Sequence, residues 1–276
     1  MIALVNLIAI LLGLAFGSFA NVVIFRGADQ FSKLNPPSSC LMCGMHIVPR
    51  DNIPVISWLL LRGKCRNCGA KISTIYPVVE IISASLFLLF VNFPRSIANA
   101  MDPAELASGV ALTVALWVLS FSGITLAAID SRELRLPNRL VYSTFFIGGT
   151  CLAISSVVVG DWDAVVRAIL GAMVSLAIYG AIVFVSPRGM GIGDLKLSAV
   201  LGLYLGWFGW GALFMGLLFA FLLGAGFGLV LISRNRASVQ STIPFGPWMI
   251  AGAFLSIFFG TQLWGSYLDF LQRVIV

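Results

Sequence analysis

The chain has 276 residues, of which 59% are hydrophobic and only 10% charged, with a formal net charge of +6. Soluble proteins carry about 25% charged residues, and no soluble surface can be built from this composition. The mean hydropathy of +1.01 also excludes a disordered, collagenous or small disulfide-rich chain, which leaves an all-α polytopic membrane protein.

Residues 1–25 have no basic head and are longer than the apolar core of a signal peptide, so they predict a first transmembrane helix. Further apolar segments follow at about 77–93, 107–129, 140–159, 164–186, 195–208, 210–232 and 246–265, for about eight crossings in all. The stretch from Leu195 to Ile232 spans 38 residues, about 57 Å as one helix and nearly twice a bilayer core. It therefore turns, at Trp207-Phe208-Gly209-Trp210-Gly211. The division expected is a first helix over 1–25, a soluble cytoplasmic loop over 26–76, and a seven-helix membrane core over 77–276. Gly13/Gly17, Gly202/Gly206 and Gly224/Gly228 have the small-xxx-small spacing that lets helices approach closely in lipid.

In a membrane protein basic residues first report topology. Placing 26–76, 130–139, 187–196 and 233–245 on one side gathers fourteen of the seventeen Lys and Arg there, leaving Arg95, Arg167 and Arg273 opposite. This predicts cytoplasmic basic loops and both termini outside the cytoplasm. It also accounts for the positive charge without a nucleic-acid partner.

The 26–76 loop carries Cys40-Leu41-Met42-Cys43 and Cys65-Arg66-Asn67-Cys68. Each CxxC knuckle can present two thiolates to one tetrahedral zinc, and a loop this short needs such a staple. Gly44 and Gly69 close the knuckles where positive φ is needed. A Cys₄ site has no open position for water, so Cys40, Cys43, Cys65 and Cys68 predict a structural Zn²⁺ and not a catalytic one. Cys151 reads as a buried small hydrophobe.

His46 is the single histidine, which excludes HExxH zinc chemistry, and no Walker A or Rossmann glycine pattern is present. Attention falls on acids at membrane edges, because a carboxylate there is costly to keep. Asp130 ends the third crossing and Asp194 opens the sixth in Gly191-Ile192-Gly193-Asp194, both on the predicted cytoplasmic face. Each read alone also suits a helix cap or anchor. As a pair they could share one proton, the ionised member activating water and the protonated member polarising a peptide carbonyl. Gly191 and Gly193 would admit an extended backbone near Asp194.

The sequence resembles the type IV prepilin peptidases, bifunctional leader peptidase/N-methyltransferases of the bacterial inner membrane. The resemblance is carried by Phe16 to Ile24, Pro36-Pro37-Ser38-Ser39-Cys40, Asn52 to Trp58, Leu61 to Cys65, Ile72 to Glu80, Ile129-Asp130 leading to Leu136-Pro137-Asn138, and the GxGD sequence ending in Asp194. It implies that Asp130 and Asp194 are the catalytic dyad of a membrane aspartic peptidase acting at the cytoplasmic face. It further implies removal of a basic leader from prepilins or pseudopilins, then methylation of the new N-terminus with S-adenosylmethionine. Asn138 departs from the Asp that many relatives carry after the proline, and leaves the dyad intact. On this reading Glu80, beside Tyr76-Pro77, could hold the substrate amine or the cofactor, and the cysteine loop contributes to methylation. The rivals are a peptidase without methyltransferase activity and, from another class, a proton-coupled transporter. The acids sit at one face instead of the midplane and no inverted repeat is evident, which disfavours transport. The prepilin processed and the oligomeric state are not readable from the sequence.

Overall fold

The computed structural model describes residues 2–26, 38–93, 102–186, 190–234 and 243–275. Of the residues used above, Pro36, Pro37 and Arg95 lie outside the described ones. The described structure is helical, with two isolated β-bridges inside the cysteine loop and no strands. It forms two compact units, Met1–Thr125 and Leu126–Val276.

The first unit contains α1 (Ile2–Arg26), the short α2 (Ile56–Leu60) in the loop, α3 (Ile75–Val91) and most of α4 (Pro103–Glu133). Helices α1 and α3 touch backbone to backbone through the first glycine pair. A Cβ on Gly13 would lie 2.5 Å from Ala84 Cα, and one on Gly17 would lie 2.7 Å from Glu80 Cα. Lipid provides no hydrophobic drive between helices, so close approach of this kind supplies the dispersion contacts that hold them. Aromatic rings add to it: Phe25 stacks on Tyr76 at 4.4 Å and Phe87 on Trp117 at 4.7 Å between centroids. Trp117 Nε1 donates to the Phe87 carbonyl at 3.0 Å, so its polar edge is satisfied.

The second unit continues α4 and adds α5 (Asn138–Ser143), a π-helical turn over Thr144–Gly148, and α6 (Gly149–Val158), which together make one span. Next come α7 (Trp162–Val185), α8 (Ile192–Phe208), α9 (Trp210–Ser233) and α10 (Gly246–Ile275). The second glycine pair packs α8 on α7, since a Cβ on Gly202 would meet the Gly171 carbonyl and one on Gly206 the Arg167 carbonyl, each at 2.5 Å. The third pair faces Phe245 and Ile243, just before α10. The expected turn between α8 and α9 falls at Gly209, whose φ of 135° is open to glycine and strained for other residues.

Each predicted apolar segment falls on a helix, but the count of eight crossings is not confirmed. Six helices are long and apolar enough to span a bilayer. The other two, α3 and α8, have 17 residues each, or about 25 Å against a hydrocarbon core of roughly 30 Å. Glu80, Asp194 and Lys196 interrupt the apolar run in these two helices.

Candidate active site and metal centre

Asp130 lies on the last turn of α4 and is 5% exposed; Asp194 is the third residue of α8 and 9% exposed. Sixty-four residues separate them in sequence, yet the tertiary structure brings them within electrostatic range of each other. The Gly246 amide donates to Asp130 Oδ2 at 3.0 Å, and the Gly191 amide donates to Asp194 Oδ2 at 3.2 Å. One oxygen of each carboxylate is therefore held by a backbone N–H from a helix start, where the dipole favours negative charge.

A Cβ on Gly246 would lie 2.8 Å from Asp130 Oδ2, so a side chain there would displace that carboxylate. Sequence reading missed this residue. The available signal was Phe245-Gly246-Pro247 at the head of an apolar segment, where Pro suits the first helical turn and Gly the close approach. Gly193 has a different neighbour from the one expected: Leu136 lies against it, 3.2 Å from where a Cβ would stand. The Leu136-Pro137-Asn138 turn thus docks on the start of α8, and Lys196 Nζ donates to Asn138 Oδ1 at 3.0 Å. The amide at 138 keeps an acceptor for Lys196 without a second charge. Tyr179 is fully buried, within electrostatic range of Asp194, and in ring contact with Phe221 and Phe245 at 5.6 and 6.4 Å.

The two cysteine knuckles have the same local fold. Gly44 N–H donates to the Cys40 carbonyl and Gly69 N–H to the Cys65 carbonyl, both at 2.9 Å, and both glycines have φ of 70° as expected. The four sulfurs lie within 4.8 Å of one another, with Cys40 and Cys68 Sγ 3.8 Å apart. A tetrahedral site with Zn–S of about 2.3 Å has sulfur edges of about 3.8 Å, so these residues fit a zinc ion. Backbone amides of Cys43 and Met42 hold the Cys40 thiol below the ordinary range, and those of Met45, helped by Asn67, do so for Cys43. At Cys68 the Ala70 amide pulls the other way, but desolvation and the three neighbouring sulfurs win and push it up to about 11. A divalent cation relieves that crowding of thiolates. His46 is exposed and pairs with Ser39 in a β-bridge. Arg66 closes a bidentate pair with Asp51 at 2.7 and 2.8 Å, which holds the Asp51 carboxyl below its usual range.

Glu80, on α3, is 6% exposed, and its Oε2 accepts the Val55 amide at 2.7 Å. Asn21 Nδ2 donates to the Tyr76 carbonyl at 3.0 Å, while Asn21 Oδ1 and Ser83 Oγ are buried without a partner. Glu80 and the cysteine cluster both lie in the first unit, and the two aspartates both lie in the second.

Comparison with known proteins matches residues 11–93 to the bacterial Peptidase A24 N-terminal domain and residues 117–229 to the type IV leader peptidase family. The prepilin leader peptidase/N-methyltransferase of Aeromonas hydrophila is 34% identical over 94% of this chain and 92% of its own. The chain belongs to the type IV leader peptidase family. Proteins of the same description from Pectobacterium carotovorum subsp. carotovorum and Stutzerimonas stutzeri are 35% and 31% identical, covering 91% and 96% of this chain and 92% and 94% of theirs. No solved structure gives a significant match. Like the family, this leader peptidase is a multi-pass protein of the inner membrane.

Proposed function

We propose that the protein removes the leader from type IV prepilins or pseudopilins with an Asp130/Asp194 dyad and then methylates the new N-terminal amine. The observation that carries the peptidase half is the meeting of two buried carboxylates from distant parts of the chain, each anchored by a helix-start amide. In this reading one aspartate is ionised and takes a proton from water as it attacks the scissile carbonyl. The other, protonated, donates to the carbonyl oxygen; on collapse the first aspartate passes the proton it took from water to the leaving amine, and the second takes a proton back from the gem-diol hydroxyl. The amides of Gly246 and Gly191 orient the two carboxylates, so less reorganisation is needed at the moment of reaction.

The distribution of basic residues supports cytoplasmic placement of the dyad and of the cysteine loop, with both termini periplasmic. The basic leader is then drawn to Asp130, Glu133 and Asp194, while the apolar helix after the cut stays in lipid.

For methyl transfer, S-adenosylmethionine supplies an electrophilic methyl group. Glu80, with the unpartnered Asn21 Oδ1 and Ser83 Oγ nearby, has the acceptors that suit a primary ammonium, a group carried by the cleaved substrate and by the methionyl end of the donor alike. Glu80 is assigned to hold that group and, as general base, to take the proton it loses before methyl transfer. The zinc is assigned a structural role in the same activity, since the four sulfurs fill its coordination.

The test is mass spectrometry of a pilin-like precursor after incubation in membranes containing the enzyme and S-adenosylmethionine. A mature N-terminus heavier by one methyl, about 14 Da, supports both activities; cleavage without that mass leaves a peptidase alone; no cleavage removes the proposal. Gly246→Ala is expected to lower cleavage roughly tenfold to a hundredfold with zinc content unchanged, because the added methyl displaces Asp130 Oδ2. Cleavage at the wild-type rate would show that the Gly246 amide does not orient the dyad.

A further inference from the structure

The buried Glu80 carboxylate is tied to the cysteine loop by a chain of contacts that the proposed chemistry does not itself require. Val55, whose amide reaches Glu80 Oε2, has φ of 61° and ψ of −52°. That is a costly conformation for a β-branched residue, and it persists only where the surroundings over-determine it. Here several contacts do so. Ile53 N–H donates to Ser57 Oγ at 2.9 Å, and Ser57 Oγ donates to the Arg50 carbonyl at 2.9 Å, closing 50–57 into a strap. Ser57, which makes both bonds, is 5% exposed. Asp51, next to Arg50, accepts from Nε and Nη2 of Arg66, which lies between Cys65 and Cys68. A second tie runs from Trp58 Nε1 to the Ile72 carbonyl at 3.3 Å, and Ile72 N–H in turn donates to the Gly63 carbonyl at 2.8 Å beside the same knuckle.

We infer that this strap makes the zinc loop a positioning element for Glu80: the second knuckle holds Asp51 through Arg66, Ser57 locks the turn, and the Val55 amide sets the carboxylate. This rests on the assignment of Glu80 to methyl transfer. It adds that Asp51, Arg66 and Ser57 are positioning residues for that reaction and for no other, because every link lies in the first unit and the dyad lies in the second. A bidentate guanidinium–carboxylate pair transmits orientation where a single contact would not.

The experiment compares Asp51→Ala, Ser57→Ala, the exchange pair Asp51→Arg with Arg66→Asp, and Glu80→Gln in full-length protein in membranes, using a pilin-like precursor. Cleavage, methyl incorporation, zinc content and deuterium uptake over residues 53–57 are measured for each. Expected are zinc content and cleavage near wild type, methyl incorporation lowered roughly tenfold or more in Asp51→Ala and Ser57→Ala, faster exchange over 53–57, and partial recovery in the exchanged pair. Unchanged methylation in zinc-loaded Asp51→Ala and Ser57→Ala overturns the strap, while leaving Glu80 in its role if Glu80→Gln is inactive. Parallel loss of cleavage and methylation also overturns it, since the strap would then support the fold generally. Normal methylation by Glu80→Gln removes the Glu80 assignment itself, and the strap's purpose with it.

Discussion

Asp130→Asn and Asp194→Asn are each expected to lower leader cleavage by roughly 10²- to 10⁴-fold, the range for loss of a positioned acid or base. Asparagine is nearly isosteric and keeps an acceptor oxygen, so the Gly246 and Gly191 amides retain their partners. It can neither ionise nor deliver the shared proton. Helix content, zinc loading and expression should therefore match wild type while the cut is lost, and the precursor should accumulate uncut in membranes. Near-normal cleavage by both variants would reject aspartic chemistry and redirect attention to the cysteine loop. Because the carboxylates interact, the pH profile of cleavage belongs to the pair and not to either residue alone.

Removing the metal, or changing Cys40 and Cys65 together to Ser, is expected to unfold the loop while sparing the helices. Zinc binding in small modules contributes roughly 10 to 16 kcal/mol of folding free energy, and beyond its hydrogen-bonded strap this loop buries few large apolar side chains. Its large apolar residues face outward, with Leu41 84% and Leu60 76% exposed. The expected signs are one zinc per chain by elemental analysis, rapid proteolysis of 38–76 after chelation, and loss of methyl incorporation exceeding loss of cleavage. Purified protein without tightly bound zinc, or a protease-resistant loop with all four cysteines changed to Ser, would overturn the assignment.

Much of this was readable from residue order alone, for identifiable reasons. Apolar segments show in a linear string because a bilayer demands about 20 consecutive lipid-compatible residues. The CxxC knuckles show because both ligands of a pair sit within four residues, and positive φ at Gly44 and Gly69 follows from that local geometry. Crossing number was harder, since α3 and α8 are short helices with charges near one end. Residues that act across the fold were not readable. Gly246 reaches Asp130 over 116 positions and Val55 reaches Glu80 over 25, and neither has a composition that announces its partner. Gly193, read as an opening for substrate backbone, instead accommodates Leu136.

The sequence by itself determined the solvent of this protein, its helical class, the four-cysteine cluster of its loop and its family, because each depends on residue types at short spacing. The tertiary structure alone decided that Asp130 and Asp194 meet, which amides hold them, and how the second knuckle is tied to Glu80. Those contacts come from helix packing through glycines and from hydrogen bonds between distant segments, and no local periodicity encodes them.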